Sequence, residues 1–199
     1  MRSPRRTEPR LGLLFKTCVV SLAFAMGGCG DDDNPVKPQP TPMYPTSDSP
    51  QNVLMALVIS YSQRDTVKTK EIYDSTYTGS SFDLNSLETL PFTYDDEIRH
   101  VRMLAGTPGL SAYLDLGPSA SWSRMPSDDP SHPEWSVVMV AGSNYRIEIT
   151  DGQTTLEAVG EGGTFQEFAF TPLLDSVSPT DTLWRIVRWK EVGRSEFTP

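Results

Sequence analysis

The chain predicts an α+β domain with N-terminal helices packed on a curved antiparallel sheet. Three observations predict this. Apolar residues recur with helical spacing up to about residue 105, the spacing falls to two beyond Gly109, and the strand-like runs then follow one another through short turns.

The folded part opens at Ser49-Pro50, where serine suits a helix N-cap and proline the first helical position. Leu54, Leu57, Val58 and Tyr61 follow as one apolar stripe. Ser62-Gln63-Arg64-Asp65 interrupts it. Asp65 then caps a second helix through about Asp74, with Val67, Ile72 and Tyr73 on its buried side. Thr93 caps a third helix, whose first turn carries Asp95, Asp96 and Glu97, where the helix dipole favours acids. Ile98, Val101, Leu104 and Ala105 form its stripe, and Gly106-Thr107-Pro108-Gly109 ends it.

Leu110–Leu116, Trp135–Val140, Tyr145–Ile149, Thr154–Val159, Thr164–Phe170 and Leu183–Trp189 read as strands, rich in β-branched and aromatic residues. Asp151-Gly152 marks a hairpin, and Ala141–Asn144 and Gly160–Gly163 mark two further turns. In the last strand Trp184, Ile186 and Arg188 share one face, while Leu183, Arg185, Val187 and Trp189 share the other. Both faces carry apolar bulk, so parity leaves the inward face open.

The segment ahead of the domain reads as an address. Arg2, Arg5, Arg6 and Arg10 precede an apolar run from Thr17 to Met26, and Gly27-Gly28-Cys29 follows. That is the basic, apolar and small-residue order of a secretory signal. Met26-Gly27-Gly28-Cys29 resembles the lipobox of bacterial lipoproteins, which implies cleavage before Cys29 and its modification with lipid. A spanning helix takes about 20 apolar residues, whereas Lys16 and Asp31-Asp32-Asp33 bound a shorter run here. The expected division is a signal over 1–28, a lipidated, proline- and aspartate-rich tether over 29–48, and one domain over 49–199. The protein is thus expected on a membrane of the bacterial cell envelope, its leaflet and surface exposure left open. At about 3.1 Å per residue, the tether reaches roughly 60 Å from the lipid.

Charge and cysteine content exclude several classes. The full chain carries 17 basic and 26 acidic residues, a net charge of −9. Removing residues 1–28 takes five basic side chains and one acidic one, so −9 becomes −13. Such a balance excludes nucleic-acid binding through phosphate neutralisation and docking on anionic lipid by charge. Cys18 leaves with the signal and Cys29 takes lipid, so no disulfide, thiolate metal site or cysteine nucleophile is expected.

The helix joint at Tyr61-Ser62-Gln63-Arg64-Asp65 and the last-strand pattern Trp184-Arg185-Ile186 resemble the nuclear transport factor 2-like superfamily over residues 49–192. The resemblance implies a cone-shaped sheet packed on its helices, with dimerisation through the sheet in some relatives. It implies enzymes of the ketosteroid isomerase and polyketide cyclase kinds as well as non-catalytic binding modules. The isomerase-like members place a tyrosine eight residues before the joint aspartate; Leu57 stands there instead. Their general-base aspartate is matched most nearly by Asp83, with a two-residue insertion.

Candidate pocket residues are therefore Leu57, Tyr61, Tyr73, Tyr77 and Asp83. Asp74 and Asp115 are further candidate acids or bases, and Phe82 and Phe92 further candidate lining. Asp115 alternates with Leu114 and Leu116 and is expected to face water. His100 and His132 lack metal-ligand spacing, and His100 reads as a surface or helix-packing residue. No cofactor motif is visible. Gly117–Pro133 is a long polar connection, where an exposed Trp122 would mark a partner contact and a buried one a packed lid. The expected function is a non-catalytic binding or assembly module with a protein or a small apolar ligand as partner; the alternative is a small isomerase, cyclase or hydrolase using an apolar cone.

Overall fold

Ser49 accepts a hydrogen bond from the Asn52 amide and starts helix α1, Pro50–Gln63. The computed structural model describes residues 42–83, 88–174 and 182–193, with the side chains of Phe82, Asp83 and Leu174 outside the description. Cys29, the expected signal and the expected tether through residue 41 also lie outside the described residues.

Arg64 ends α1 in the left-handed region, at φ 55°. That strain holds because its guanidinium donates to the carbonyls of Leu104 and Leu110, tying the helix joint to the end of the third helix. Asp65 accepts from the amides of Val67 and Lys68, both at 2.9 Å, and caps α2, Thr66–Ile72. Thr93 and Asp96 form a reciprocal capping box at the start of α3, Tyr94–Gly106.

Helix α2 stops two residues before the expected Asp74. Thr69 and Ile72 are its buried positions, whereas Val67 is 68% exposed. Tyr73 instead begins strand β1, Tyr73–Asp83, and pairs with Ile186. A spacing of four puts Tyr73 and Tyr77 on one side of a helix or of a strand alike, so periodicity did not separate the two. Tertiary pairing decided it. Ala105, expected in the apolar stripe of α3, is exposed.

The remaining strands are β2 (Glu88–Thr93), β3 (Ser111–Asp115), β4 (Ser123–Pro126), β5 (Ser136–Ala141), β6 (Arg146–Thr150), β7 (Thr155–Val159), β8 (Phe165–Leu174) and β9 (Thr182–Val192). Six form a sheet in the order β2-β1-β9-β8-β5-β4, and three form a second sheet, β3-β6-β7. The larger sheet is curved. It is mixed rather than wholly antiparallel, because β1 and β9 run parallel. Each expected strand is present within a few residues; β1, β2 and β4 were not expected. β2 and β4 are edge strands, which tolerate Pro91 and Pro126 where a central strand would not.

The two faces of the larger sheet have different partners. Val138, Val140, Phe168, Phe170 and Ile186 join Leu54, Leu57, Ile72, Val101 and Leu104 in the main core. Burying Phe168 or Phe170 contributes about 2–3 kcal/mol each. Val137, Met139, Ala169 and Val187 form a second cluster on the opposite face, covered by Met125, Trp135 and Phe165.

Strand β9 changes sides partway. Ile186 pairs with Phe170 and Arg188 with Ala169, leaving Val187 as the extra residue of a β-bulge. Ile186 and Trp189 consequently both pack against the main core, while Val187 lies in the second cluster. Arg188 lies on that outer face too, bonded to Glu167 at 2.8 Å and Asp128 at 2.7 Å. Strict alternation along Leu183–Trp189 therefore fails at one residue.

The segment Gly117–Pro133 is partly structured, with a short 3-10 turn at Ser119–Ser121 and β4 inside it. Trp122 packs half-buried on the main core, and its indole N–H donates to the Leu116 carbonyl at 2.8 Å. It belongs to a packed cover. At the other end of the domain, the Tyr44 hydroxyl donates to Asp65 at 2.8 Å and the Ser47 carbonyl accepts from the Trp184 amide. The last residues of the expected tether are thus held against the domain.

Replacing Thr93 by alanine removes the hydroxyl that accepts the Asp96 amide and should lower stability by about 1 kcal/mol in urea unfolding. An unchanged midpoint would show that the capping box adds nothing.

Candidate functional site

Four tyrosines converge on the inner side of the cone. α1 supplies Tyr61, β1 supplies Tyr73 and Tyr77, and Tyr145 stands immediately before β6. Helix α3 lays Glu97 and His100 beside them. The Tyr77 hydroxyl donates to Glu97 at 3.3 Å, and the Tyr61 hydroxyl lies 3.4 Å from His100 Nε2. The Tyr73 and Tyr77 rings meet edge to face at 4.6 Å. Tyr145 meets Trp189 similarly at 5.9 Å, and the Trp189 indole donates to Gln166 at 2.9 Å.

Gly79 makes room for this arrangement. A Cβ at that position would run into the Tyr77 hydroxyl, so a side chain there would displace the donor that reaches Glu97.

Burial sets the protonation states. It pushes the Glu97 carboxyl up from 4.5 to about 7; the Tyr77 hydrogen bond opposes that rise and the neighbouring charge of Asp96 adds to it. Burial raises the phenols of Tyr61, Tyr73, Tyr77 and Tyr145, and the nearby Glu97 charge raises them further. It also lowers His100, which keeps the imidazole neutral at pH 7. The site therefore presents neutral phenols, a neutral imidazole and a carboxyl close to half protonated.

Neither Tyr73 nor Tyr145 has a hydrogen bond through its hydroxyl among the described residues, and no sealed side-chain oxygen or nitrogen lacks a partner. Tyr73 is 2% exposed and lies within the packed core, whereas Tyr145 is partly buried. Together with Glu97 they offer two donors and a group able to donate or accept.

The structure brings Leu57, Tyr61, Tyr73 and Tyr77 into one cluster, all at most 6% exposed. Asp83 ends β1 opposite Glu88, and its side chain lies outside the description, as does that of Phe82. Asp74 bonds to the amide and hydroxyl of Thr76, and Asp115, partly buried, accepts from the Gly117 amide. Both make local contacts only two residues along the chain.

Glu97, His100 and Tyr145 complete the site, and sequence reasoning did not select them. Glu97 was read as a dipole-facing acid. The signal was present nonetheless, because Glu97, Val101 and Leu104 stand at i, i+4 and i+7 on one face of α3. Two shallow clefts lie elsewhere. One, about 250 Å³, is lined by Met55, Val58, Ile59, Leu116 and Trp122; the other, about 220 Å³, lies over β6 and β7.

No protein-family model matches the chain, and no curated protein does. Similar solved structures include an NTF2-like protein of unknown function from Pseudomonas putida, 9% identical, covering 71% of this chain and 82% of that one at a TM-score of 0.40. An NTF2-like protein with a cystatin-like fold from Novosphingobium aromaticivorans is 11% identical, covering 71% of this chain and 77% of that one at 0.41. One from Cytophaga hutchinsonii is 10% identical, covering 71% of this chain and 93% of that one at 0.40. Likenesses this distant transfer no activity or partner. The chain's own layout, with two helices over a polar joint and Trp184-Arg185-Ile186 on a central strand, is the one the nuclear transport factor 2-like resemblance implies.

Glu97 generates a pH prediction. Below pH 4.5 it is protonated in both the folded and the unfolded chain. Between 4.5 and about 7 the unfolded chain ionises first, so its contribution to stability falls, and above about 7 the loss levels off at roughly 3 kcal/mol. The Glu97→Gln protein should lack this loss, so its stability advantage over the parent should grow across that window. His100 contributes with opposite sign in both proteins and cancels from the difference. A constant difference from pH 4 to 8 would contradict the burial of Glu97.

Proposed function

We propose that this protein is an exported lipoprotein, held by lipid on Cys29 to a membrane of the bacterial cell envelope, whose single domain is a non-catalytic binding module. Its ligand is a small, largely apolar molecule bearing a hydroxyl or carbonyl group. The observation that carries the reading is the pair of phenol hydroxyls, Tyr73 and Tyr145, without a hydrogen-bond partner among the described residues in the cluster beside Glu97. Aromatic walls with a few converging polar tips are the usual chemistry of small-molecule sites. Leu57, standing where the isomerase-like members have a tyrosine, supports binding over isomerisation, because the donor to a developing oxyanion is missing there.

A titration with 2-naphthol, followed by intrinsic fluorescence, tests the site. Saturable binding should weaken about tenfold in each of Tyr73→Phe and Tyr145→Phe, the effect of one lost hydrogen bond. Binding indifferent to both changes, or no binding, would remove the proposal. For the anchor, cells fed an alkynyl fatty acid should label the parent protein and leave Cys29→Ser unlabelled. Equal labelling would refute lipid attachment at that residue.

One observation favours a second reading, that of a small isomerase or cyclase. A carboxyl titrating at about 7 is suited to proton transfer near neutral pH. Cyclohex-3-enone supplies the test. Conversion to the conjugated ketone that is lost in Glu97→Gln would favour the enzyme, and no Glu97-dependent conversion favours the binding module.

A further inference from the structure

Strand β7 ends the three-stranded sheet, and among the described residues it pairs only with β6. Its sequence, Thr155-Leu156-Glu157-Ala158-Val159, has neither the lysine nor the proline that commonly protects a free edge. The strand is also uncovered: Leu156 is 44% exposed and Val159 60%. Glu157 is held by Arg146 at 2.7 Å on the outer face.

The inner face next to this edge is shaped to take a side chain. The register sets Ala112, Ile149 and Leu156 in one row across the sheet. Ala112 is buried, but the row reaches solvent at β7. There Leu110, Ile149 and Leu156 form the walls of the cleft of about 220 Å³, with Asp151 and Thr154 at its polar end. One Asp151 oxygen accepts from the amides of Gln153 and Thr154. Among the described residues no ion pair engages this carboxylate, in a chain of net charge −9.

We propose that the free edge of β7 is a docking site for an extended segment of a partner protein carrying an apolar side chain and, two residues away, a basic one. The segment adds a strand to the β3-β6-β7 sheet through main-chain hydrogen bonds. Its apolar side chain enters the cleft at Leu156, and its cation meets Asp151 at the β6–β7 turn. Alternate side chains of a strand share a face, so one segment satisfies both contacts.

The full chain in mild detergent, with a fluorescein-labelled peptide Val-Thr-Val-Thr-Lys-Thr, tests this by fluorescence anisotropy. Saturable binding is expected, weakened about fivefold or more by Asp151→Asn and by Leu156→Lys, with circular dichroism unchanged in both variants. Asparagine keeps the turn acceptor, so that variant removes the charge alone. A peptide N-methylated at alternate residues should bind at least about tenfold more weakly, because it cannot complete the ladder. Equal affinity for the N-methylated peptide, equal affinity for a peptide with glutamate in place of lysine, or no saturable binding would overturn the proposal. Dimerisation abolished by Leu156→Lys would also overturn it, by assigning the edge to a second copy of the chain.

Discussion

Strand β9 has neighbours on both edges and apolar contacts on both faces, and the rest of the structure depends on how it meets that demand. A regular strand would carry Val187 and Trp189 on the same face. The bulge at Val187 breaks this, so Ile186 and Trp189 point to the helices while Val187 and Arg188 serve the outer cluster. Phe168 and Trp189 can then stack at 4.8 Å inside the cone. Outside it, Arg188 and Lys190 hold Asp128, and with it the connection that follows β4, across the sheet.

The interior that results is aromatic at its centre and polar at its margin. Leu54, Leu57, Ile72, Phe168 and Phe170 supply the cohesion. Around them Tyr61, Tyr73, Tyr77 and Tyr145 keep their rings in the core and carry their hydroxyls toward α3. Glu97 is the consequence with most chemical content. Its carboxyl is partly withdrawn from water by the packing that stabilises the domain, which pushes its pKa up from 4.5 to about 7. Fold stability and site chemistry thus draw on the same desolvation.

Local signals were legible where local physics decides. Ser49-Pro50, Asp65 and Thr93 start three helices in the structure as they do in the sequence. The six expected strands are present because each combines period-two patterning with turn residues at its ends. What could not be read depends on pairing. Tyr73 changes from helix to strand through pairing with Ile186 of β9, more than 100 residues away in the chain. Pro91 and Pro126 hid two strands whose edge positions make proline tolerable. The bulge at Val187 has no local marker. Of the site, Leu57, Tyr61, Tyr73 and Tyr77 were selected as a group, whereas Glu97 and His100 looked like ordinary polar positions on a solvated helix. Only the packing of α3 against β1 turned them inward.

The central claim is that packing beside the buried tyrosines desolvates the Glu97 carboxyl and raises its pKa. An NMR titration of the side-chain carboxyl carbon in ¹³C-glutamate-labelled protein, with Glu97→Gln identifying the resonance, measures this most directly. The account predicts a midpoint near 7 for Glu97. A midpoint near its ordinary value of 4.5 would contradict it.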